Sequence, residues 1–316
     1  MTTQKNFPAF ADLRIGALGV LLPLLTSCSI RQSAVNIIGD ALSGGGGVYM
    51  TDDDPDLIRA ALPFGLKLFE SLLEVSPAHR GLLLAAAKGF TGYAYLIQDQ
   101  ADRQDEHDMR AAERLRQRSR GFYLRGRDYA LRGLETHRPG FHAALKSDRN
   151  MALSAAKLDD VPFLYWAGAA WAGAVAVAKN DPDLLINLPT AGALVARVLA
   201  LDEGYDEGAA HEFFISFEAS RPGGSADKAG SHYRRALELS RGERASVHIA
   251  LAEGVALREQ NLAEFKKLTQ AALAVEVEKF PQARLTNILA QQRARWLLSR
   301  LDELFLDAET ATEESK

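Results

Sequence analysis

Apolar side chains recur every three or four residues along most of this chain. Leu57, Ala61, Phe64, Leu68 and Leu72 form one such series, the spacing of a single helix face. Pro77 ends that segment, and residues 81–98 predict a second helix rich in alanine, glycine and aromatic rings. Comparable stretches continue to Phe305, while the alternating runs between turn residues that mark strands are hard to find. The expected fold class is all-α. Asp52-Asp53-Asp54-Pro55 opens the first helix: a carboxylate at the N-cap accepts from unpaired amides, and proline suits the first helical position.

Within the helical pattern there are hints of a repeat. Ala229, Tyr233 and Ala236 carry the spacing of a second helix in a tetratricopeptide repeat, where small residues let two helices close. Glu264, Leu268 and Ala271 reproduce it 35 positions later, with glutamate where a small residue is usual. Leu164, Ala167, Gly168 and Trp171 look like a first helix of the same unit. A tetratricopeptide-like (TPR-like) α-solenoid of helical hairpins follows, its repeats degenerate and lengthened by insertions.

The N-terminus follows a different logic. Lys5 and Arg14 precede an apolar run over 15–25, too short to span a bilayer as a stable helix, and small residues follow it. Leu25-Thr26-Ser27-Cys28 resembles a bacterial lipobox, and Cys28 is the chain's one cysteine, so no internal disulfide competes. The expected organisation is a lipoprotein signal peptide at 1–27, a lipidated glycine-rich tether at 28–50, a helical domain at 51–307 and an acidic disordered tail at 308–316. Ser29 after the cysteine, by resemblance to enterobacterial sorting, favours the outer membrane over the inner.

Composition restricts the chemistry. At 316 residues the chain is long enough for a substantial core, and its net charge of −4 argues against a nucleic-acid surface. Ser43 and Gly44-Gly45-Gly46-Gly47 lack the Lys-Ser/Thr and preceding strand of a phosphate loop, so a flexible spacer is the better account. His211-Glu212 begins like a zinc-protease motif, but Ile215 stands where the second histidine belongs. With no G-x-S-x-G elbow and no dinucleotide context, neither a catalytic constellation nor a metal or cofactor is expected.

Two features remain. Aromatic residues crowd small-residue helices, and Tyr93, Trp166, Trp171, Phe213 and Phe217 are the candidate ligand-binding side chains. Such rings could line a cavity for an apolar or amphipathic ligand, although core packing explains them as well. The second is an arginine run, Arg110, Arg114, Arg116, Arg118, Arg120, Arg125, Arg127 and Arg132, partly offset by Glu113 and Asp128. A solvated helix face is the plain reading, and bidentate grip on an anionic partner the sharper one.

Several longer stretches resemble one family. Asp52-Asp53-Asp54-Pro55-Asp56-Leu57 leads into Ala61-Leu62-Pro63-Phe64-Gly65-Leu66-Lys67-Leu68, and Tyr123-Leu124-Arg125-Gly126-Arg127-Asp128-Tyr129 lies in the middle. Leu201-Asp202-Glu203-Gly204-Tyr205 runs on to Gly208-Ala209-Ala210-His211. Arg221-Pro222-Gly223-Gly224 precedes Tyr233-Arg234-Arg235-Ala236-Leu237-Glu238-Leu239, and Asn287-Ile288-Leu289-Ala290-Gln291-Gln292-Arg293-Ala294 with Trp296-Leu297-Leu298 closes the series. Together they resemble the TatT family, the T component of TPR-containing TRAP (tripartite ATP-independent periplasmic) transporter systems. The resemblance implies a non-enzymatic, periplasm-facing lipoprotein that forms a homo-oligomer, a trimer. It further implies docking of a periplasmic substrate-binding protein and a pore or cleft for hydrophobic ligands. The alternative is a general TPR-like envelope scaffold for protein complex assembly.

Replacing Cys28 by alanine is expected to abolish incorporation of radiolabelled fatty acid and release the protein from the membrane fraction. Labelled, membrane-bound C28A protein would exclude the lipobox.

Overall fold

The computed structural model describes residues 1–2, 22–44, 46–105 and 108–306. Its helices are α1 (Leu22–Gly44), α2 (Gly46–Met50), α3 (Pro55–Val75), α4 (Arg80–Gln104), α5 (Met109–His137), α6 (Phe141–Ser147), α7 (Arg149–Ser154) and α8 (Val161–Val177). Then follow α9 (Pro182–Leu185), α10 (Leu188–Leu201), α11 (Ala209–Ser220), α12 (Ala226–Leu239), α13 (Ala245–Leu251), α14 (Leu262–Ala274), α15 (Arg284–Leu298) and α16 (Leu301–Leu304). Among the described residues the fold is all-helical, with no strand. Helix starts follow capping chemistry: Asp54 accepts from the amides of Asp56 and Leu57 with Pro55 next in line, and Asp108, Asp181, Ser225 and Asn261 cap α5, α9, α12 and α14.

Neighbouring helices run antiparallel and close wherever a small residue removes a side chain from the seam. Ser119 on α5 donates to the Ala94 carbonyl on α4 at 2.7 Å. Two turns further on, Gly126 lies so near α4 that a Cβ would collide with the Thr91 hydroxyl and press on the Ala87 carbonyl. A Cβ on Gly133 would overlap the Phe163 ring of α8. Gly168 of α8 faces Val195 and the Ala191 carbonyl of α10, and Gly192 of α10 lies under Phe217 of α11. One continuous core therefore runs from Leu66 on α3 to Phe214 on α11, and a second joins α13, α14 and α15 around Phe265 and Leu268.

Two expectations need adjustment. The apolar series on α3 is not simply a buried face: Ile58, Leu66 and Leu73 are buried, whereas Leu57 is 55% exposed and Phe64 77% exposed. Where a flexible glycine-rich tether is expected over 28–50, the chain is helical in α1 and α2. Side-chain bonds hold α1 there: the Ser76 hydroxyl donates to Asn36 Oδ1 at 2.7 Å, and the His79 ring meets the Asn36 carbonyl at 3.1 Å. Gly39 permits that approach, since a Cβ there would lie 2.8 Å from His79 Nε2. Residues 182–201 are apolar and long enough to cross a membrane by composition, yet they fold as two helices, α9 and α10, broken near Asn187. Cys28 falls within α1. Most of the expected signal peptide and the whole 308–316 tail lie outside the described residues.

Gly133→Ala is expected to lower unfolding free energy by about 1–3 kcal/mol, because Phe163 must leave its rotamer. Gly121→Ala on the same helix meets nothing within 4 Å and should stabilise by a few tenths to about 1 kcal/mol. Urea titrations of the two variants side by side check this contrast.

Candidate functional site

The helices form a closed circuit. From α4 the packing passes through α5, α8, α10, α11 and α13 to α15, and α15 returns to α4 chiefly through the Arg293 guanidinium, with Arg103 of α4 against the Trp296 ring. Arg293 on α15 reaches Asp102 at 3.1 Å and Asp99 at 3.5 Å on α4, while its Nη2 donates to Glu253 at 2.7 Å. Its planar group also lies 4.3 Å from the Trp296 ring centre, where Arg103 and Arg300 approach as well. Glu253 is aimed by a π turn over Ala252–Ala256, in which the Leu257 amide donates to the Ala252 carbonyl at 2.9 Å.

Burial and charge oppose each other at this junction. Burial lowers the Arg293 pKa, but Glu253 and Asp102 outweigh it and raise the guanidinium above its ordinary value. Asp102 moves upward, chiefly through burial, with Arg293 and Arg116 pulling the other way. Tyr95 sits among these groups, and its phenol is pushed above the usual range, chiefly by burial and then by Asp99. Yet Tyr95 is 42% exposed. Its ring therefore meets water beside the charged groups Asp99, Asp102, Glu253 and Arg293.

The candidate aromatic residues separate into distinct places. Tyr93 is buried, edge-on to Phe122 at 5.0 Å, with its hydroxyl accepting from Arg118 at 3.2 Å. Trp171 is 6% exposed beneath Arg127, whose guanidinium stands 5.0 Å from the ring. Trp166 is half-buried and perpendicular to Tyr165 at 5.3 Å, and Tyr165 in turn meets Tyr205. Phe213 and Phe217 are the pair brought into contact, stacked at 5.3 Å, with Phe214 edge-on to both. The five therefore do not converge on one point. Near them, Arg244 gathers Asp206 at 2.8 Å, Glu207 at 3.3 Å and Glu212 at 3.7 Å, which holds a left-handed turn at Asp206 (φ 45°) and Glu207 (φ 54°).

His211, which opened the failed zinc motif, instead meets His232 at 2.8 Å and Glu203 at 3.1 Å. Glu203 is held down to about 2 by Arg235, then by His211. The arginine run on α5 also has structure. Arg118 stands 5.5 Å from the Phe122 ring centre, Arg125 5.3 Å from Phe90 and Arg132 5.2 Å from Tyr129. Each distance is within the range of a cation–π contact. On its flank Glu70 of α3 accepts from the Tyr129 hydroxyl at 2.9 Å and lies 3.9 Å from Arg125. Burial opposes ionisation of Glu70, but Lys67, Tyr129 and Arg125 together lower its pKa.

Sequence reasoning did not single out Asp99, Asp102 or Glu253; Tyr95 entered only as one of several crowded rings, and Arg293 only within a family-like stretch. Asp99 and Asp102 share a helix face by their spacing, a usable signal. Nothing local announces a partner nearly two hundred residues away.

Among the described residues this is an all-helical protein bearing ion-pair and aromatic clusters. The chain matches the model of the TRAP transporter T-component family over residues 51–305 and belongs to that family. The family is a transporter accessory component and not a known enzyme family. A protein of Treponema pallidum (strain Nichols), named only "Uncharacterized protein", is 33% identical over 268 residues, covering 82% of this chain and 83% of the relative.

Arg293→Met leaves three carboxylates around an uncharged side chain and is expected to destabilise by about 3 kcal/mol. Thermal unfolding of the variant, compared with Arg234→Met on the exposed face of α12, checks it.

Proposed function

We propose that this chain is the lipid-anchored, periplasm-facing T component of a TRAP-type solute uptake system. In this reading it docks the periplasmic substrate-binding protein and holds or passes a hydrophobic or amphipathic ligand. Family membership over residues 51–305 supports the transporter role. The observation that favours ligand handling is the water-accessible Tyr95 at the junction where α15 closes on α4. In this reading the half-buried apolar rings Trp166, Phe213 and Phe217 offer contacts to an amphipathic ligand.

The same reading places the signal-peptide cut before Cys28, lipidates that residue, and favours the outer membrane from Ser29. It takes the antiparallel helix pairs as degenerate TPR-like hairpins of an α-solenoid, with the buried small residues Ala229 and Ala236 at their seams. Confinement to a membrane raises the effective concentration of a moderate-affinity site for a diffusing partner. A homo-trimer is the assembly proposed.

Co-purification from detergent-solubilised membranes is expected to recover the TRAP-type substrate-binding protein. Native mass spectrometry of the delipidated protein is expected to give a trimer retaining ligand. A ligand-free monomer, with recovery only of envelope-assembly proteins, would overturn the proposal in favour of a general scaffold.

A further inference from the structure

The arginines of α5 divide into two sets. Eight arginines share this helix with three acidic residues. Arg116 is paired with Asp105 at 3.0 Å, Arg120 with Asp181 at 2.8 Å and Arg127 with Asp128 at 2.7 Å. The other two acidic residues are also occupied: Glu113 accepts from Gln117, and Glu135 accepts from the amides of Gly140 and His142. Arg118, Arg125 and Arg132 are all exposed and more lightly engaged: Arg118 donates to the Tyr93 hydroxyl at 3.2 Å, Arg125 lies 3.9 Å from Glu70 and Arg132 donates to the Pro77 carbonyl at 3.2 Å; the exposed Arg110 and Arg114 extend the row by single turns.

Arg118, Arg125 and Arg132 are each seven residues apart. That is about 10.5 Å of rise and within about 20° of two full turns, so the three guanidinium groups align along one face. Each lies near an aromatic ring from α4 or α5. The rings confine side chains that would otherwise sample many rotamers, so less entropy is lost when a partner binds. The row already has one carboxylate beside it: Glu70, contributed by α3, pairs with Lys67 at 2.5 Å, accepts from the Tyr129 hydroxyl at 2.9 Å and lies 3.9 Å from Arg125. Arg118 offers the same arrangement of ring and guanidinium one repeat away, without an opposing carboxylate among the described residues.

We infer that the Arg118–Arg125–Arg132 row is a docking face for a carboxylate-rich protein surface, that of the substrate-binding protein in the uptake reading above, on which the inference rests. Charge complementarity selects the partner's chemistry. This chain is acidic overall, with 41 acidic against 37 basic residues, so an ordered basic ridge is the local exception. Aromatic-backed guanidinium groups favour fixed, planar carboxylates over a diffuse layer of charge. The structure thus gives the arginine run a directional role beyond solvation of a helix.

The test is biolayer interferometry of the full-length protein in detergent against the purified substrate-binding protein of its own transporter. The triple variant Arg118→Gln/Arg125→Gln/Arg132→Gln is expected to bind about 10–100-fold more weakly. Wild-type affinity should fall with added salt, and that of the glutamine variant should respond less. A triple lysine variant, which keeps the charge and loses the planar stack, should fall between them. Because three substitutions could disturb folding, Arg118→Glu alone serves as the second variant, with a loss of about tenfold expected. Wild-type affinity in correctly folded variants would overturn the docking face while leaving the uptake reading in place. Failure of the wild-type protein to bind would overturn both. Wild-type-only binding to phosphatidylglycerol vesicles, with unchanged affinity for the protein partner, would reassign the row to the membrane and overturn the inference.

Discussion

The fold depends on how closely its helices can approach. At Gly126, Gly133, Gly168 and Gly192 the backbone of one helix lies against a ring, a methyl or a carbonyl of the next. Each contact joins successive members of the packing order, so the same device links α4 through α5, α8 and α10 to α11. Large residues then fill the space beside each seam: Phe163 beside Gly133, Val195 beside Gly168, Phe217 beside Gly192. Interiors packed to crystal-like density tolerate little change in such volumes. The aromatic content that first suggests a ligand cavity is thus partly the counterpart of the glycines. Phe163 and Trp171 belong to this packing, while Tyr95 and Trp166 retain access to water.

Closing the circuit uses different physics. No glycine seam joins α15 to α4; charge does, through Arg293 and its three carboxylates. Buried ion pairs contribute little net stability relative to apolar replacements, but they are selective about geometry. An apolar α15 could slide along α4, whereas a guanidinium bonded to Asp102 and Glu253 fixes the register. The π turn at Ala252–Ala256 fits that requirement, since it sets the direction of Glu253 without changing the course of the chain.

Much of the fold was legible in the sequence because its signals are local. The Asp54–Pro55 cap, the break at Pro77 and the three-to-four spacing act within a few residues and appear as expected. The exposed Leu57 and Phe64 show where this logic stops, since periodicity reports that a face is apolar and not what covers it. The helical course of α1 was hidden for a related reason: its bonds to Ser76 and His79 are tertiary, some 40 residues away. The arginine run was visible as composition. Which members meet carboxylates and which meet rings was not, because Asp105, Asp181, Phe90 and Tyr93 lie on other segments. Phe213 and Phe217, four apart on one helix, were the candidate ring residues that local spacing could unite.

The position of Arg293 also orders the events of biosynthesis. Synthesis runs from the N-terminus, so α4 and α5 can pair as soon as both exist, through contacts close in sequence. The α4 carboxylates Asp99 and Asp102 must wait until nearly the whole chain has been made. Until α15 arrives, nothing ties its register to α4, so the last long helix completes the fold rather than seeding it.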